Sequence, residues 1–293
     1  MMRNKITNPL NKTVQLSVRL LLLASVAFYL QSCTERIDIK TDVEFQKLAV
    51  EGNITPEHQY VKLQKTSGYF SQEAPPAIDN ATVSISSGGN VYLLNENPEE
   101  PGTYVPDDTL PTAPGTDYKL TIDLPEPVGG ERHFESETVM PTLNVVVDSI
   151  RVIYRGDFEH WIIKLYAYEP PGPDYYMFNA LRNDTILTDS LSRIGITDDR
   201  LVDGMYLPGI YVLFFNKDEL AIGDTVTLLL SGISKDYFRF LDEAQQELQP
   251  NVPFFSGPPA NVRSNINNGA LGYFSAYSSI HTSTIIDGSG NWE

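Results

Sequence analysis

The sequence predicts an all-β protein of two β-sandwich-like lobes, the second of which carries one amphipathic helix. Two observations predict the strands: apolar and polar residues alternate with a period of two, and clusters of proline and glycine separate the alternating runs. A third observation, a stripe of apolar residues at steps of three and four, predicts the helix.

The first predicted lobe covers residues 46–141. Turn-forming pairs such as Pro75-Pro76 and Gly88-Gly89 separate its short alternating runs, and this spacing is typical of a sandwich. Its strands are predicted at 48–52, 60–64, 81–86, 91–94, 118–124 and 133–140.

The second predicted lobe covers residues 142–293. Ser234 is a suitable N-cap and Pro250 a stop signal for a helix at about 234–249. A long irregular segment follows at 253–269, and a closing strand is expected at 271–279, with Gly272 marking a bulge or a close approach of two backbones. The other strands are predicted at 145–154, 161–168, 175–182, 209–215 and 225–231.

The amino terminus has the pattern of a secretory signal peptide, which we assign to residues 1–32. Residues 1–19 contain four basic residues and no acid, and an uncharged run follows at 20–30. That run is too short to cross a bilayer, which requires about 20 apolar residues. Residues 33–45 are polar and mixed in charge, and we interpret them as a tether to the first strand.

The segment Leu30-Gln31-Ser32-Cys33 resembles the lipobox that lipoprotein signal peptidase recognises. The resemblance implies that Cys33 is lipid-modified and becomes the first residue of the mature protein. Cys33 is the only cysteine of the chain, so disulfides cannot explain it. The alternative is an ordinary buried cysteine that happens to follow a cleaved signal.

The charge balance argues against nucleic acid as a partner. Loss of residues 1–32 removes four positive charges and no acid, so the formal net charge falls from −17 to −21. Nucleic-acid affinity depends on neutralising phosphates with lysine and arginine. If the protein is held at a membrane, the lipid must hold it.

Motifs for catalysis, metal or cofactor binding are not found in the sequence, and we predict a non-enzyme without a cofactor. No G-x-S-x-G or H-E-x-x-H motif occurs, and the acidic group Asp198, Asp199 and Asp203 is interpreted as a solvated turn. The four histidines are scattered without the spacing of metal ligands: His58, His133, His160 and His281.

Motifs at both ends of the chain resemble a Bacteroidota family of outer-membrane lipoproteins known as domain of unknown function 4249. The amino-terminal part is Leu48-Ala49-Val50-Glu51-Gly52-Asn53-Ile54-Thr55, and the carboxy-terminal part is Leu271-Gly272-Tyr273-Phe274 with Ala276-Tyr277. The first lobe is also similar to transthyretin-like and carboxypeptidase-regulatory sandwiches, through Ala81-Thr82-Val83 and Gly102-Thr103-Tyr104.

The resemblance implies a lipid-anchored outer-membrane protein, on either the periplasmic or the cell-surface face, that acts as an accessory of a TonB-dependent transporter. The partner-binding residues are predicted near the carboxy terminus, where an arginine lies among aromatic side chains: Arg263, Tyr273, Phe274 and Tyr277. The alternative for this segment is a structural plug at the end of the second sheet.

A second function remains open: an independent surface protein that captures glycan or peptide. Sugars would stack on exposed tyrosines, and the candidates are Tyr175, Tyr176, Tyr273 and Tyr277. An enzyme of an unrecognised type is a third possibility.

Five triplets share the order aspartate, hydroxyl residue, aliphatic residue. They resemble O-glycosylation acceptors of exported proteins in this phylum, and turn chemistry explains them equally well. The candidate acceptors are Thr109, Ser149, Thr185, Ser190 and Thr225.

Overall fold

Strands dominate the structure, as the alternation predicts. The computed structural model describes residues 46–67, 71, 73–248 and 262–288, together with Val14, Leu16, Ser17 and Arg19. Apart from those four positions, the predicted signal peptide, Cys33 and the tether lie outside the described residues, as does the stretch 249–261. No helix within the described part of the chain is long and apolar enough to span a membrane.

The described residues from 46 to 288 form sixteen strands, one α-helix and one short 3-10 helix. The strands are β1 (Leu48–Ile54), β2 (Gln59–Lys65), β3 (Thr82–Ser87), β4 (Asn90–Glu96), β5 (Thr103–Pro106), β6 (Asp117–Val128), β7 (Glu131–Val139), β8 (Val146–Arg155), β9 (His160–Tyr168), β10 (Tyr175–Arg182), β11 (Thr185–Ile186), β12 (Gly195–Asp198), β13 (Tyr206–Asn216), β14 (Thr225–Gly232), β15 (Leu271–Ala276) and β16 (Ser278–Ile285). The helices are α1 (Lys235–Glu247) and the 3-10 helix Leu191–Arg193.

Eight strands form the first sheet, in the spatial order β15-β1-β2-β5-β4-β3-β6-β7. Neighbouring strands are antiparallel except β1 and β15, which run parallel. Alternate residues point inward, so one face is apolar and buried. Phe134 on β7 and Phe274 on β15 meet in one core although their strands lie at opposite ends of the sheet, so the sheet curls onto itself.

Asparagines between α1 and β15 close the gap between the two edge strands. The side chain of Asn265 donates to the Phe274 carbonyl at 2.7 Å and accepts from the Phe274 amide at 2.9 Å. Asn267 exchanges two hydrogen bonds with the backbone of Glu135 on β7, one through its own amide and one through its side chain. Edge groups that would otherwise remain unpaired are thereby satisfied.

The other strands form a sandwich of two sheets. The larger sheet has the order β11-β10-β14-β16, and β12 also pairs with β10. It faces the three-stranded sheet β13-β9-β8. Ile163 and Phe215 from the smaller sheet share one buried cluster with Phe178 and Leu228 from the larger sheet. The fold class, mostly β with one helix, is therefore confirmed.

Helix α1 begins and ends close to its predicted bounds. The Ser234 side chain accepts a hydrogen bond from the Tyr237 amide at 3.2 Å and so caps the first turn. Leu241 is the buried residue of the helix and packs near Met177 and Ile233. The apolar stripe thus faces the sheets, as its spacing predicts.

The closing segment differs from the predicted single strand at 271–279. It divides at Tyr277 into β15, which pairs with β1, and β16, which pairs with β14 in the second half. A parallel partner more than 200 residues away leaves no local signature, so alternation alone could not assign β15 to the first sheet. The described residues from 46 to 288 belong to one compact unit, and separate lobes divided at residue 141 remain a prediction.

Candidate functional site

The residues predicted to bind a partner lie mainly in the interior. Phe274 is completely buried, and its assignment to an exposed binding surface is corrected: it is a core residue. Tyr273 is only 7% exposed and Tyr277 is half-buried. Arg263 lies at the surface end of this group. In the free chain these four do not form an open face.

Arg263 fastens the chain before β15 to helix α1. Its amide donates to one Glu243 carboxylate oxygen at 3.0 Å, and its Nε donates to the other at 2.9 Å. The guanidinium Nη2 also pairs with that carboxylate. These hydrogen bonds hold the pKa of Glu243 below its usual range.

Tyr273 and Tyr277 belong to an aromatic cluster under the helix. The Tyr237 ring centroid lies 5.0 Å from that of Tyr273 and 6.1 Å from that of Tyr277, and Phe240 lies 5.0 Å from Tyr273. Burial raises the pKa of the Tyr237 hydroxyl. The geometry favours a structural role for this segment, but not as a plug of the second sheet alone: β15 pairs in the first sheet, β16 pairs in the second, and both tyrosines pack under α1.

The tyrosines proposed to stack on sugars are likewise engaged inside the protein. The Tyr175 ring packs 5.2 Å from Phe238. Tyr176 is buried, and its hydroxyl donates to Glu169 at 3.2 Å. These two side chains therefore do not provide an open platform for a sugar ring.

The candidate glycosylation residues are mostly accessible. The hydroxyl residues Thr109, Ser149, Thr185 and Ser190 are exposed, whereas Thr225 is half-buried. In the fifth triplet the Asp224 carboxylate accepts from the Ala221 amide at 2.8 Å, which is the turn chemistry of the alternative reading. Glycosylation of the five positions remains a prediction.

Three carboxylates cluster beside the loops that follow β9 and β12. One oxygen each of Glu169, Asp174 and Asp199 lie within 4.8 Å of one another. Glu169 and Asp199 are buried, so the interpretation of Asp199 as part of a solvated turn is wrong. Burial, with Asp199 as a neighbouring charge, raises the pKa of Asp174.

This carboxylate cluster has the donor set for a cation, but hydrogen bonds also account for it. Glu169 accepts from the Gly204 amide at 2.6 Å, and Asp199 accepts from the Asp174 amide at 2.9 Å. Irregular loops leave such amides without a backbone partner, and a buried carboxylate satisfies them. The cluster thus organises the loops that surround it.

The most exposed aromatic surface is the outer side of the three-stranded sheet. On β9, Trp161, Ile163 and Leu165 point into the sandwich core, so the alternate residues point outward. Strand register places the outward residues of β8 and β13 beside them. We call this surface the aromatic–basic face and define it as Val146, Ser149, Arg151, Ile153, Arg155, His160, Ile162, Lys164, Tyr166, Tyr168, Tyr206, Pro208, Tyr211, Phe214 and Asn216.

The aromatic–basic face differs from the rest of the chain in charge and exposure. None of its fifteen members is acidic, although the chain has 38 acidic and 21 basic residues. Phe214 is 58% and Tyr168 is 50% exposed. Ile153 and Ile162 are buried at its centre, so an apolar floor lies between the basic side chains.

Tyr166 is held flat on this face by a glycine. Gly209 on β13 has φ +89°, and a Cβ at that position would lie 2.7 Å from Cζ of Tyr166. The ring therefore packs directly against the backbone of β13, which any side chain at position 209 would prevent. The Arg151 guanidinium lies over the same ring, 5.6 Å from its centroid. Tyr166 thus lies next to the Gly209 backbone and under the Arg151 guanidinium.

Arg155 is held by a carboxylate and a hydroxyl at the other end of the face. Its Nε and Nη2 donate to the two oxygens of Asp157 at 3.0 and 2.8 Å, and its Nη1 donates to the Tyr211 hydroxyl at 3.3 Å. The pKa of Asp157 is lowered by this pairing. The Lys164 ammonium lies 5.5 Å from the centroid of the Tyr211 ring. Basic groups and rings form one connected array.

The comparisons with known proteins decide the family. A family profile described as Domain of unknown function (DUF4249) matches residues 34–283, which is most of the chain. This chain belongs to the DUF4249 family. No curated protein matches it. A solved structure titled "Cytokine receptor complex - Crystal form 1A" is 9% identical, covers 83% of this chain and 98% of its own, and has a TM-score of 0.23, which is too low to support an argument.

The two DUF4249 motifs that carried the resemblance are neighbours in space. β1 and β15 pair in parallel, with Val50 opposite Gly272 and Gly52 opposite Phe274. Gly272 has φ +94°, and a Cβ there would lie 1.9 Å from the Val50 carbonyl oxygen. The expected close backbone approach at Gly272 is therefore found, and these DUF4249 motifs build the core.

Sequence reasoning missed the aromatic–basic face in this DUF4249 protein. Its members come from three strands, and alternation identified each strand without showing which outward sets lie side by side. One signal was available: the outward positions of β9 carry Lys164, Tyr166 and Tyr168 where a solvated strand would carry small polar residues.

Proposed function

We propose that this DUF4249 protein is an outer-membrane lipoprotein that acts as a non-catalytic accessory of a TonB-dependent transporter. Lipid on Cys33 anchors it, since two or more acyl chains hold a protein stably at a bilayer. The folded unit acts by binding, through the aromatic–basic face.

The exposed aromatic–basic face is the observation that carries the proposal. Large exposed apolar patches on a folded chain indicate a site of interaction, and tyrosine with arginine is the composition of interface hot spots. Tyr211 and Phe214 contact edge to face, with ring centroids 6.2 Å apart, so they present a fixed surface. The anchor is supported by the lipobox-like segment that ends at Cys33.

A second candidate is independent capture of glycan at the cell surface. Tyr168, Tyr206 and Phe214 favour it, because these rings are about half exposed and lie on the outward side of one sheet. This function would use the same face with a different ligand and would require no transporter.

The anchor is tested by Cys33→Ala in cells fed with labelled fatty acid. We expect the wild-type chain to carry the label and the variant to lose it and remain as uncleaved precursor. Ser32→Ala keeps a small residue before the cysteine and is the control, for which we expect normal labelling. Label on the Cys33→Ala chain would show that the lipid is elsewhere.

The accessory role is tested by photo-crosslinking in intact cells. A photoreactive phenylalanine replaces Phe214 on the aromatic–basic face or, as a control, Val91, which is 66% exposed on the first sheet. We expect position 214 to crosslink to a β-barrel transporter and position 91 not to do so. If the lipidated chain crosslinks at position 214 to no transporter, the accessory role is wrong.

A further inference from the structure

The aromatic–basic face is a local reversal of charge on a strongly acidic protein. Its members include Arg151, Arg155 and Lys164 and no acid, whereas the formal net charge of the whole chain is −17. Two acidic side chains of this sheet bond members of the face: Asp157 pairs with Arg155, and Asp148, at the bulge of β8, bonds the Tyr206 hydroxyl. An acidic ligand is therefore attracted to this face and repelled by the remaining surface.

Arg151 is the group best placed to receive a carboxylate. It is exposed and makes no ion pair with any residue in the described part of the chain. Tyr166 beneath it rests on Gly209, so the guanidinium stacks on a ring that is itself fixed. A planar guanidinium held in this way keeps its donors available for bidentate bonding at little entropic cost.

The same stacking decides between a polypeptide and a sugar chain. Sugars bind aromatic platforms through open ring faces, but Arg151 covers Tyr166 and Lys164 lies over Tyr211. The middle of the face therefore offers cationic donors and ring edges, and the apolar side chains of Phe214 and Tyr168 lie on either side of it. Alternating apolar and acidic side chains of a polypeptide match this arrangement.

The size and charge of the face also bear on the occupant. Its fifteen positions approach the roughly 20 to 30 residues that one side of a standard interface contains. A second copy of this chain placed face to face would oppose Arg151 and Lys164 with their own equivalents, and like charges across an interface are unfavourable. A separate acidic partner avoids that repulsion.

We infer that the aromatic–basic face docks an acidic, partly apolar polypeptide surface, with Arg151 bonding a carboxylate of the partner. The inference deepens the proposed accessory function and rests on it for the biological setting. Arg155 and Lys164 add to the attraction, and Phe214 and Tyr168 contribute the apolar contact.

The test uses the purified full-length mature chain and a soluble copolymer of glutamate and tyrosine as the probe. We expect the copolymer to bind, and Arg151→Ala to weaken binding about tenfold or more, as loss of a central arginine does at interfaces. Raising the ionic strength to about 1 M should weaken it further, because the Debye length falls to about 3 Å. Arg151→Lys should give an intermediate affinity, since the charge remains and the planar stacking is lost.

Arg132→Ala is the matched control. Arg132 is an exposed arginine of β7 in the first sheet, where it pairs with Glu126 at 3.4 Å, and its removal changes the net charge equally. We expect this variant to bind like the wild type. A melting curve for each variant separates lost binding from lost structure.

Three results with the copolymer alone would overturn the inference: no binding by the wild type, equal affinity in Arg151→Ala and wild type, or equal losses in Arg132→Ala and Arg151→Ala. Polygalacturonate, an acidic sugar polymer, distinguishes the other class of ligand, and tighter binding to it than to the copolymer also overturns the inference. Because these measurements use purified protein, their failure is distinguishable from a failure to crosslink a transporter in cells.

Discussion

Gly272→Ala is the sharpest test of how strands β1 and β15 are joined. β15 approaches β1 so closely that the added Cβ would lie 1.9 Å from the Val50 carbonyl oxygen and 2.8 Å from its carbonyl carbon. Both are backbone atoms and cannot rotate away. Alanine also disfavours the φ of +94° that Gly272 adopts. The substitution must therefore move β15 away from β1.

The cost has two parts. A left-handed backbone costs a residue with a Cβ about 1–2 kcal/mol. Displacement of β15 also exposes part of Phe274, and full burial of such a side chain contributes about 1.5–3 kcal/mol. We expect a loss of about 2–5 kcal/mol in the free energy of unfolding, a large share of the 5–15 kcal/mol typical of a domain. For a unit of this length the melting temperature should fall by roughly 4–20 °C.

Urea denaturation followed by circular dichroism measures the loss, with Gly115→Ala as the control. Gly115 also has a positive φ, +79°, but a Cβ there meets no atom within 4 Å. The control should lose only the conformational part, about 1–2 kcal/mol. If Gly272→Ala loses no more than Gly115→Ala, the close approach does not contribute to stability and the reasoning fails.

Three further predictions concern the segment around helix α1. Tyr273→Ala should lower the melting temperature because it removes a ring packed on Tyr237, whereas Tyr273→Phe keeps the ring, loses only the hydroxyl that bonds Ser234 and should lower it less; a scan of thermal unfolding checks both. Asn265→Ala leaves the backbone groups of an edge strand without partners and should cost about 1–3 kcal/mol in urea denaturation, whereas an unchanged midpoint would mean that water replaces the side chain. Because Arg263 lowers the pKa of Glu243, this carboxylate stabilises the fold above its unfolded pKa of about 4.5, and the stabilisation disappears as the pH falls through the lowered pKa. Glu243→Gln should therefore reduce the loss of stability on the acid side of a stability–pH profile. An unchanged profile would contradict the pairing.

Local patterns were sufficient to predict most strands and the helix. Alternation reports which residues of a strand face a core, so β6, β9 and β14 were predicted near their observed bounds. The cap at Ser234 and the apolar stripe depend on neighbours within a few residues, and so α1 was predicted as well. Residues that are close together in the sequence determine these features.

Long-range placement could not be predicted in the same way. Tyr273 and Arg263 were predicted to bind a partner because an arginine among aromatic residues is typical of interfaces. The same composition also suits a cluster buried under a helix, and only tertiary structure decides which applies. Glu243 lies 20 residues before Arg263, and nothing in the sequence marked it as the ion-pair partner.

Arg263 and Arg151 are both held in place by neighbouring side chains, but they differ in how their hydrogen-bond donors are used. Arg263 donates to a carboxylate of its own chain, so its donors are used in holding α1. Arg151 is positioned equally well, by Tyr166 on Gly209, but its donors face outward and make no ion pair with another described residue. A cation fixed by packing and left without an internal acid, in a chain with so many acids, is explained most simply by an acid supplied from outside. The functional surface is therefore to be sought where the fold fixes a charged group in place and leaves its bonding capacity unused.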